Sequence, residues 1–144
     1  MFLRITTLLT LSAGSLFATN DTLEWKSLPD LPGGIGVAGP FAGTHNDTLI
    51  IAGGANFPDG VPWRPTADGG TSAKVYYDTI HVVTKDGADY SIAEAKAKLP
   101  QVLGYGVSIS TTDGVLCIGG EWREDGVTYR SAKVFALGFV DGQV

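Results

Sequence analysis

Short runs of alternating hydrophobic and polar residues fill most of this chain, and they end at glycines or at turns made of Asn, Asp and Gly. One such run crosses the turn His45-Asn46-Asp47, continues as an apolar stretch over residues 48–52 and stops at Gly53-Gly54. Alternation with a period of two, broken by turns of this composition, is typical of antiparallel hairpins. The pattern therefore predicts a fold built from β-strands.

The same series of features occurs a second time further along the chain. A strand, a turn, an apolar strand and a glycine pair follow one another at residues 105–110, 112–114, 115–118 and 119–120. Paired glycines suit this position, because the chain can turn sharply with positive φ and no side chain in the way. A further strand follows each pair, at about 74–83 and 132–140, and residues 89–92 complete a four-stranded unit.

This order of strand, glycine pair, tyrosine and closing strand is typical of the blades of kelch-type β-propellers. Kelch repeats are about 50 residues long, and the longer spacing here is explained by a loop at 55–72. The sequence thus predicts an all-β, kelch-type β-propeller with about two to three four-stranded blades. We expect an outer strand at about 23–28, a blade at about 36–93 and an incomplete blade at about 103–144.

Two features complicate this layout. Residues 91–100 are rich in Ala, Glu and Lys, which favour helices, so we interpret them as a loop insertion that could form a short helical turn. The chain is also short for a closed ring. Propellers close with four to eight blades of roughly 45 residues each, whereas removal of a signal at 1–18 leaves material for fewer than three. We therefore expect an N-terminal fragment of a longer protein.

Residues 1–18 have the composition of a secretory signal peptide. Arg4 precedes an apolar stretch over residues 5–17, and Ala18 offers a small residue for cleavage. An apolar core of about a dozen residues is too short for a membrane span, which needs about 20. We expect a mature chain at 19–144 that is periplasmic or secreted in a bacterium, with no membrane span after cleavage.

Composition excludes several other classes of protein. The chain is 44% hydrophobic and 17% charged, which is enough apolar material for a core, and its 20 glycines argue against helical bundles. The net charge of −5 provides no basic surface for nucleic acid, so no nucleic-acid partner is expected. Cys117 is the single cysteine and lies in an apolar run, which predicts a buried thiol and no internal disulfide.

Three blocks of residues carry a family resemblance. The first begins with Gly36-Val37-Ala38-Gly39 and continues to Phe57; the others are residues 77–81, and 104–108 together with 118–121. They resemble the bacterial sialic acid mutarotases, also called N-acetylneuraminate epimerases, over about residues 24–137. The resemblance implies a six-bladed kelch propeller of the periplasm that interconverts the α and β anomers of N-acetylneuraminate. The position of the first block, directly after the signal, resembles the cyclically permuted branch of the family.

Opening of a sugar-acid ring needs a base, an acid and a cation that holds the carboxylate. Glu121 directly follows the second glycine pair, and Arg130 is predicted to open the next strand. The resemblance implies that such a glutamate and arginine face the central pocket. A glutamate in a partly desolvated pocket can serve as acid or base, and Arg130 could bind the carboxylate as a bidentate fork. The alternative is a surface ion pair between the two residues.

The long loop supplies the candidate substrate-binding residues. Trp63 offers an apolar platform for one face of a sugar, Arg64 a second contact for an anion, and Asn56 hydrogen bonds to hydroxyl groups. Each has an alternative role in the fold alone. Trp63 could pack on the edge of a blade, and Asn56 could cap a turn.

Two functions fit these features. The first is a carbohydrate anomerase whose partner is N-acetylneuraminate or a related sugar acid, with no metal or redox cofactor. The alternative is a non-catalytic kelch module that binds a glycan or a protein. No metal site is predicted, because His45 and His81 are the only histidines and neither has metal-ligand spacing. An open set of blades would expose sheet edges and faces, so we also expect self-association.

Overall fold

A computed structural model describes residues 23–34 and 36–144, so the expected signal peptide at 1–18 lies outside the described residues. In this part of the chain the structure is all-β, with eleven strands and no helix. The strands are β1 (Phe41–His45), β2 (Thr48–Ala52), β3 (Ala55–Asn56), β4 (Val75–Tyr76), β5 (Thr79–Asp86), β6 (Asp89–Lys98), β7 (Val107–Thr111), β8 (Gly114–Ile118), β9 (Glu121–Glu124), β10 (Val127–Arg130) and β11 (Val134–Leu137).

The first sheet is one complete antiparallel blade with the strand order β1-β2-β5-β6. Its first hairpin closes at Asn46 and Asp47, whose φ values of 48° and 56° are the left-handed conformation that a two-residue turn of type I′ requires. The turn aligns Phe41 with Ala52 and so directs alternate side chains of β2 into the core. The sequence predicted this hairpin, and the structure confirms it.

The second sheet has three strands in the order β11-β8-β7 and resembles the first. Along the chain, a separate two-stranded ribbon of β9 and β10 connects β8 to β11. The two sheets form part of a kelch-type β-propeller, as predicted. The same main-chain pairs occur around the glycine pair of each sheet. The Ala38–Ala55 bridge of the first sheet corresponds to the Gly104–Glu121 bridge of the second. The hydrogen bond from Gly53 to Thr79 corresponds to the one from Gly119 to Lys133, and each closes the loop that follows its glycine pair. The first connecting loop is about twice as long as the second between these equivalent positions.

The core lies between the two sheets. Phe41, Ile50 and Ile80 of the first sheet contact Val115 and Cys117 of the second, and all five side chains are fully buried. The opposite face of the second sheet exposes a row of apolar residues, namely Val107, Ile109, Ile118 and Val134. Self-association of an open set of blades would occur through this face and remains an expectation.

Serine hydroxyls join the innermost strands of the two sheets. Ser108 Oγ accepts a hydrogen bond of 3.0 Å from the Ala42 amide and donates one of 2.8 Å to the Ala42 carbonyl, while Ser110 Oγ accepts one of 2.8 Å from the Thr44 amide. Among residues 23–34 and 36–144, β2 is the only strand hydrogen-bonded to β1, so the other edge of β1 carries amides and carbonyls that no described strand pairs. The two hydroxyls pair three of these groups, the amide and carbonyl of Ala42 and the amide of Thr44, and so connect one blade with the next.

We expect Ser108→Ala to lower the free energy of unfolding by about 1 kcal/mol, because it removes two hydrogen bonds to one residue of an otherwise unpaired strand edge. Chemical denaturation of the full-length protein measures the change. Ser91→Ala is the control, since the Ser91 hydroxyl bonds only to the Thr84 side chain on an exposed surface and its loss should have a smaller effect. Equal losses for the two variants would contradict this role of Ser108.

Three sequence predictions about the strands were wrong. Residues 23–28 form no strand; they pair with no described strand, and Trp25 is 93% exposed. Residues 91–98 are part of β6 rather than a helical turn, and the first blade ends at Lys98 instead of 93. Pairing with β5 overrides helix propensity here, and a bulge moves the inward side chains from Tyr90 and Ile92 to Ala95 and Ala97, which pack on the core.

Candidate functional site

Three loops meet at one end of the sheets, where the glycine pairs turn the chain. They cover residues 53–78, 99–106 and 119–133, while the tight hairpin turns lie at the opposite end. Main-chain hydrogen bonds hold the loops together. The Gly54 amide donates to the Leu103 carbonyl at 2.7 Å, and Gly104 and Glu121 exchange two bonds of 3.0 and 2.7 Å. The first and last loops are thereby fixed to the middle one.

A tyrosine and a glutamate form the most direct polar contact at this end. The Tyr76 hydroxyl donates a hydrogen bond of 2.6 Å to Glu121 Oε1. Tyr76 ends β4 and is buried, and Glu121 begins β9 directly after the second glycine pair. The backbone of Glu121 is fixed by Gly104, and its side chain is fixed by Tyr76. The carboxylate thus has a defined position, and within the described residues no hydrogen bond occupies Oε2.

The environment of Tyr76 keeps its phenol protonated. Burial, together with the hydrogen bond to the Glu121 carboxylate, raises the pKa of the Tyr76 phenol to about 12. The ordinary value for tyrosine is about 10. At neutral pH the phenol carries its proton and donates it in the hydrogen bond to Glu121.

This shift in pKa predicts a change of stability at alkaline pH. Below about pH 10 the phenol is protonated in both folded and unfolded chains, and its contribution to stability is complete. Between pH 10 and about 12 the unfolded chain loses its proton first, so the free energy of unfolding falls. Tyr76→Phe should make the fall over this interval shallower in denaturation curves of the full-length protein. Tyr90→Phe, at the other end of the sheet, controls for the loss of one phenol; an equal change in both variants would contradict the prediction.

A second tyrosine is held in a strained backbone conformation beside the first. Tyr105 has φ = 57°, a left-handed conformation that bulky side chains rarely adopt. Its amide donates to the Gly39 carbonyl at 2.7 Å, and its ring lies on Gly39, where a Cβ would come within 2.5 Å of Cδ1. The ring meets that of Tyr76 edge-to-face, with centres 6.2 Å apart. Only glycine at position 39 leaves room for this arrangement.

Lys74 lies over this group of aromatic rings. Its ammonium nitrogen is 4.7 Å from the ring centre of Tyr105, 5.8 Å from that of Phe57 and 5.9 Å from that of Tyr76. Distances below about 6 Å are favourable for a cation above an aromatic face. Lys74 is half-buried, and its ammonium has no hydrogen bond or ion pair among the described residues.

An apolar groove of about 550 Å³ adjoins the aromatic rings. Trp63, Phe57, Tyr105 and Asn56 are among the residues that line it. Asn56 is fixed on both sides, because Oδ1 accepts a bond of 2.7 Å from the Tyr77 hydroxyl and Nδ2 donates one of 3.1 Å to the Gly36 carbonyl. The volume lies within the range of small-molecule sites.

The structure brings together some of the residues that the sequence singled out. Glu121 and Arg130 are cross-strand neighbours in the β9–β10 ribbon, although the described residues show no ion pair between them and Arg130 is exposed. Arg130 ends this ribbon instead of opening the next blade strand, because four-residue hairpin strands replace the predicted loop. Trp63 and Asn56 share the groove, whereas Arg64 is exposed and does not line it.

Sequence reasoning missed Lys74, Tyr76 and Tyr105 as site residues. The sequence pattern predicts one long strand over about 74–83, whereas the structure ends β4 at Tyr76 and begins β5 at Thr79. The two units offered a signal. Tyr76 pairs with the residue that directly follows the first glycine pair, and Arg130 pairs with the residue that directly follows the second. Comparison of equivalent positions in the two units would have found it.

Neither a metal centre nor a membrane-spanning helix is found among residues 23–34 and 36–144. No three His, Cys, Asp or Glu side chains of this region come close enough together to bind an ion. None of its segments forms a helix of the length and apolar character that a bilayer crossing requires.

Comparison with known proteins gives one consistent family. The sequence model of the family described as N-acetylneuraminate epimerase matches residues 6–143. An N-acetylneuraminate epimerase of Yersinia pestis (strain Pestoides F) is 38% identical over 112 residues, which cover 70% of this chain and 27% of that relative. One from Haemophilus influenzae (strain 86-028NP) is 36% identical over 123 residues, covering 79% and 31%.

A solved structure described as "Structure of YjhT" is similar in fold. It aligns with a TM-score of 0.64 and 29% identity over 87% of this chain and 34% of that chain. The matched part of the chain covers between 27% and 34% of the length of these relatives.

Proposed function

Because this chain belongs to the N-acetylneuraminate epimerase family, we propose that the full-length protein is an isomerase that interconverts the α and β anomers of N-acetylneuraminate or a related sugar acid. The observation that supports this is the hydrogen bond of 2.6 Å from the Tyr76 phenol to Glu121 Oε1. It presents a fixed carboxylate, with one oxygen free, at the end of the blades where three loops meet.

Anomer exchange of a 2-keto sugar acid moves one proton and breaks one carbon–oxygen bond. The anomeric hydroxyl loses its proton, the bond from C2 to the ring oxygen breaks and the ring oxygen gains a proton. The open-chain ketone then rotates and closes on its other face by the reverse steps. No atom is gained or lost, so the chemistry requires no redox cofactor.

Glu121 is our candidate for the base. Oε2 accepts the proton of the anomeric hydroxyl, while Tyr76 keeps Oε1 engaged and so fixes the plane of the carboxyl group. The same carboxyl can then donate the proton to the ring oxygen, so Glu121 acts first as the base and then as the acid. The Tyr76 phenol, whose pKa is raised to about 12, stays a donor throughout at neutral pH.

The remaining predicted residues have supporting roles in this proposal. Arg130 lies across the ribbon from Glu121, and its exposed guanidinium attracts an anionic sugar toward the carboxylate. Trp63 offers an apolar face in the groove, and Asn56 orients the groove wall. Arg64 would contribute only long-range attraction. The signal-like segment at 1–18 supports a periplasmic or secreted location.

The test is anomer exchange measured by NMR on the full-length protein. Added protein should increase the rate of exchange between the α and β signals of N-acetylneuraminate above the uncatalysed rate. A panel of neutral acylated hexoses shows whether the carboxylate is required. Uncatalysed rates for every sugar, together with saturable binding, would favour a non-catalytic glycan-binding module instead.

A further inference from the structure

We infer that Lys74 is the residue that binds the carboxylate of the substrate, and that the aromatic groove beside it receives the sugar ring. This inference rests on the proposed function and names a contact within it. It predicts preference for anionic sugars over neutral ones of the same shape.

The position of the Lys74 ammonium provides the first argument. A lysine on a protein surface normally extends into water, yet this one is half-buried over Phe57, Tyr76 and Tyr105. Aromatic faces attract the charge but accept no conventional hydrogen bonds, and an ammonium has three donors. Among the described residues no acceptor takes them. A partly desolvated cation with free donors is a favourable contact for a carboxylate.

The second argument is the contact that Lys74 and Glu121 share with Tyr76. The Tyr76 ring lies 5.9 Å from the Lys74 nitrogen, and the hydroxyl of that ring lies 2.6 Å from Glu121 Oε1. Cation and carboxylate thus both contact Tyr76, the cation over the face of its ring and the carboxylate at its hydroxyl. In a 2-keto sugar acid, the carboxylate and the anomeric hydroxyl are attached to the same carbon. The inference therefore requires one substrate to contact both groups at once.

The groove provides the third argument. Phe57 and Tyr105 form both the support of Lys74 and part of the groove wall, so the ammonium lies at the border of the groove. Trp63 lines the same groove and offers an apolar face for the sugar ring. Arg130, by contrast, is on a ribbon strand whose residues are all exposed, and water screens its charge.

Binding can be measured without catalysis by using the methyl glycoside of N-acetylneuraminate, whose blocked anomeric oxygen prevents ring opening. The glycoside and its neutral methyl ester are titrated into the full-length protein by calorimetry. The unmutated protein should prefer the acid to the ester. Lys74→Met, which keeps the length and apolar character of the side chain, should weaken acid binding by about tenfold or more and change ester binding by no more than about twofold.

Lys85→Met is the matched control. Lys85 also lies over a tyrosine ring, 5.8 Å from the centre of Tyr90, but at the opposite end of the sheet, so its loss should leave the preference unchanged. Lys74→Arg keeps the charge and should retain most of the preference. Should Lys74→Met not fold, Lys74→Gln replaces it, and the dependence of binding on salt in the unmutated protein gives an independent measure.

The outcomes separate this inference from the proposed function. An unmutated protein that binds acid and ester equally, or a Lys74→Met protein that keeps the preference, overturns the inference even if anomer exchange is fast. Loss of the preference in Lys74→Met without any exchange activity supports the anion contact and removes the proposed reaction.

Discussion

Replacing Glu121 by glutamine should reduce catalysed anomer exchange by about 100-fold or more, with little change in stability. General acid–base groups contribute about 10²- to 10⁴-fold to rates. The amide keeps an oxygen that can accept the Tyr76 hydrogen bond, and the backbone bonds to Gly104 do not depend on the side chain. The fold should therefore survive, while the group that accepts the proton is lost. NMR exchange rates measured over the uncatalysed rate give the effect.

Two further variants test whether the loss is specific to the Glu121 carboxylate. Glu124→Gln removes an exposed carboxylate from the other end of β9 and should leave the exchange rate within about twofold of the original. Tyr76→Phe keeps the carboxylate but frees its orientation, so we expect an intermediate loss that affects kcat more than KM. Glu121→Gln with an unchanged rate would remove Glu121 from the mechanism.

Replacing Gly53 by alanine should have the largest effect on stability, a loss of about 3–5 kcal/mol in the free energy of unfolding. Gly53 has φ = 68°, and a Cβ at this position would overlap the Leu103 carbonyl oxygen. That oxygen accepts the Gly54 amide and belongs to the loop that joins the two blades. Strain from positive φ costs about 1–2 kcal/mol in a residue with a side chain, and displacement of the loop adds the remainder.

Two other glycines separate these contributions. Gly87 has φ = 58° with no atom within 4 Å of a Cβ, so Gly87→Ala should show the strain alone. Gly36 has open space and no positive φ, so Gly36→Ala should be nearly neutral. Denaturant midpoints of the three variants should therefore rank with Gly53→Ala lowest and Gly36→Ala highest. A Gly53→Ala protein as stable as Gly87→Ala would contradict the proposed overlap.

The strands of the blades could be predicted because their signals are local. Alternation and the turn at Asn46 and Asp47 define the first hairpin, and recurrence of the same features at 105–120 defines the second. The prediction failed where partners override local preference. The helix formers at 91–98 become strand because β5 offers a hydrogen-bonding edge, and 23–28 remain without a strand because no described strand offers one.

The site was only half predictable for the same reason. Glu121 follows a glycine pair, which is visible in the sequence, and Trp63 stands out in the long loop. The group formed by Lys74, Tyr76 and Tyr105 depends on contacts between segments that are distant along the chain. Neither the left-handed φ of Tyr105 nor the room on Gly39 has a local sequence signal.

The greater length of the first connecting loop has a consequence for the evolution of this protein. Both connections begin and end with the same main-chain bonds, although one is about twice as long as the other. A doubling of loop length costs only about 0.6 kcal/mol in closure entropy. Insertions and deletions between Ala55 and Tyr76 should therefore change the free energy of unfolding little, while they reshape the groove that Trp63 lines. Laboratory evolution of ligand preference should begin with the length of this segment.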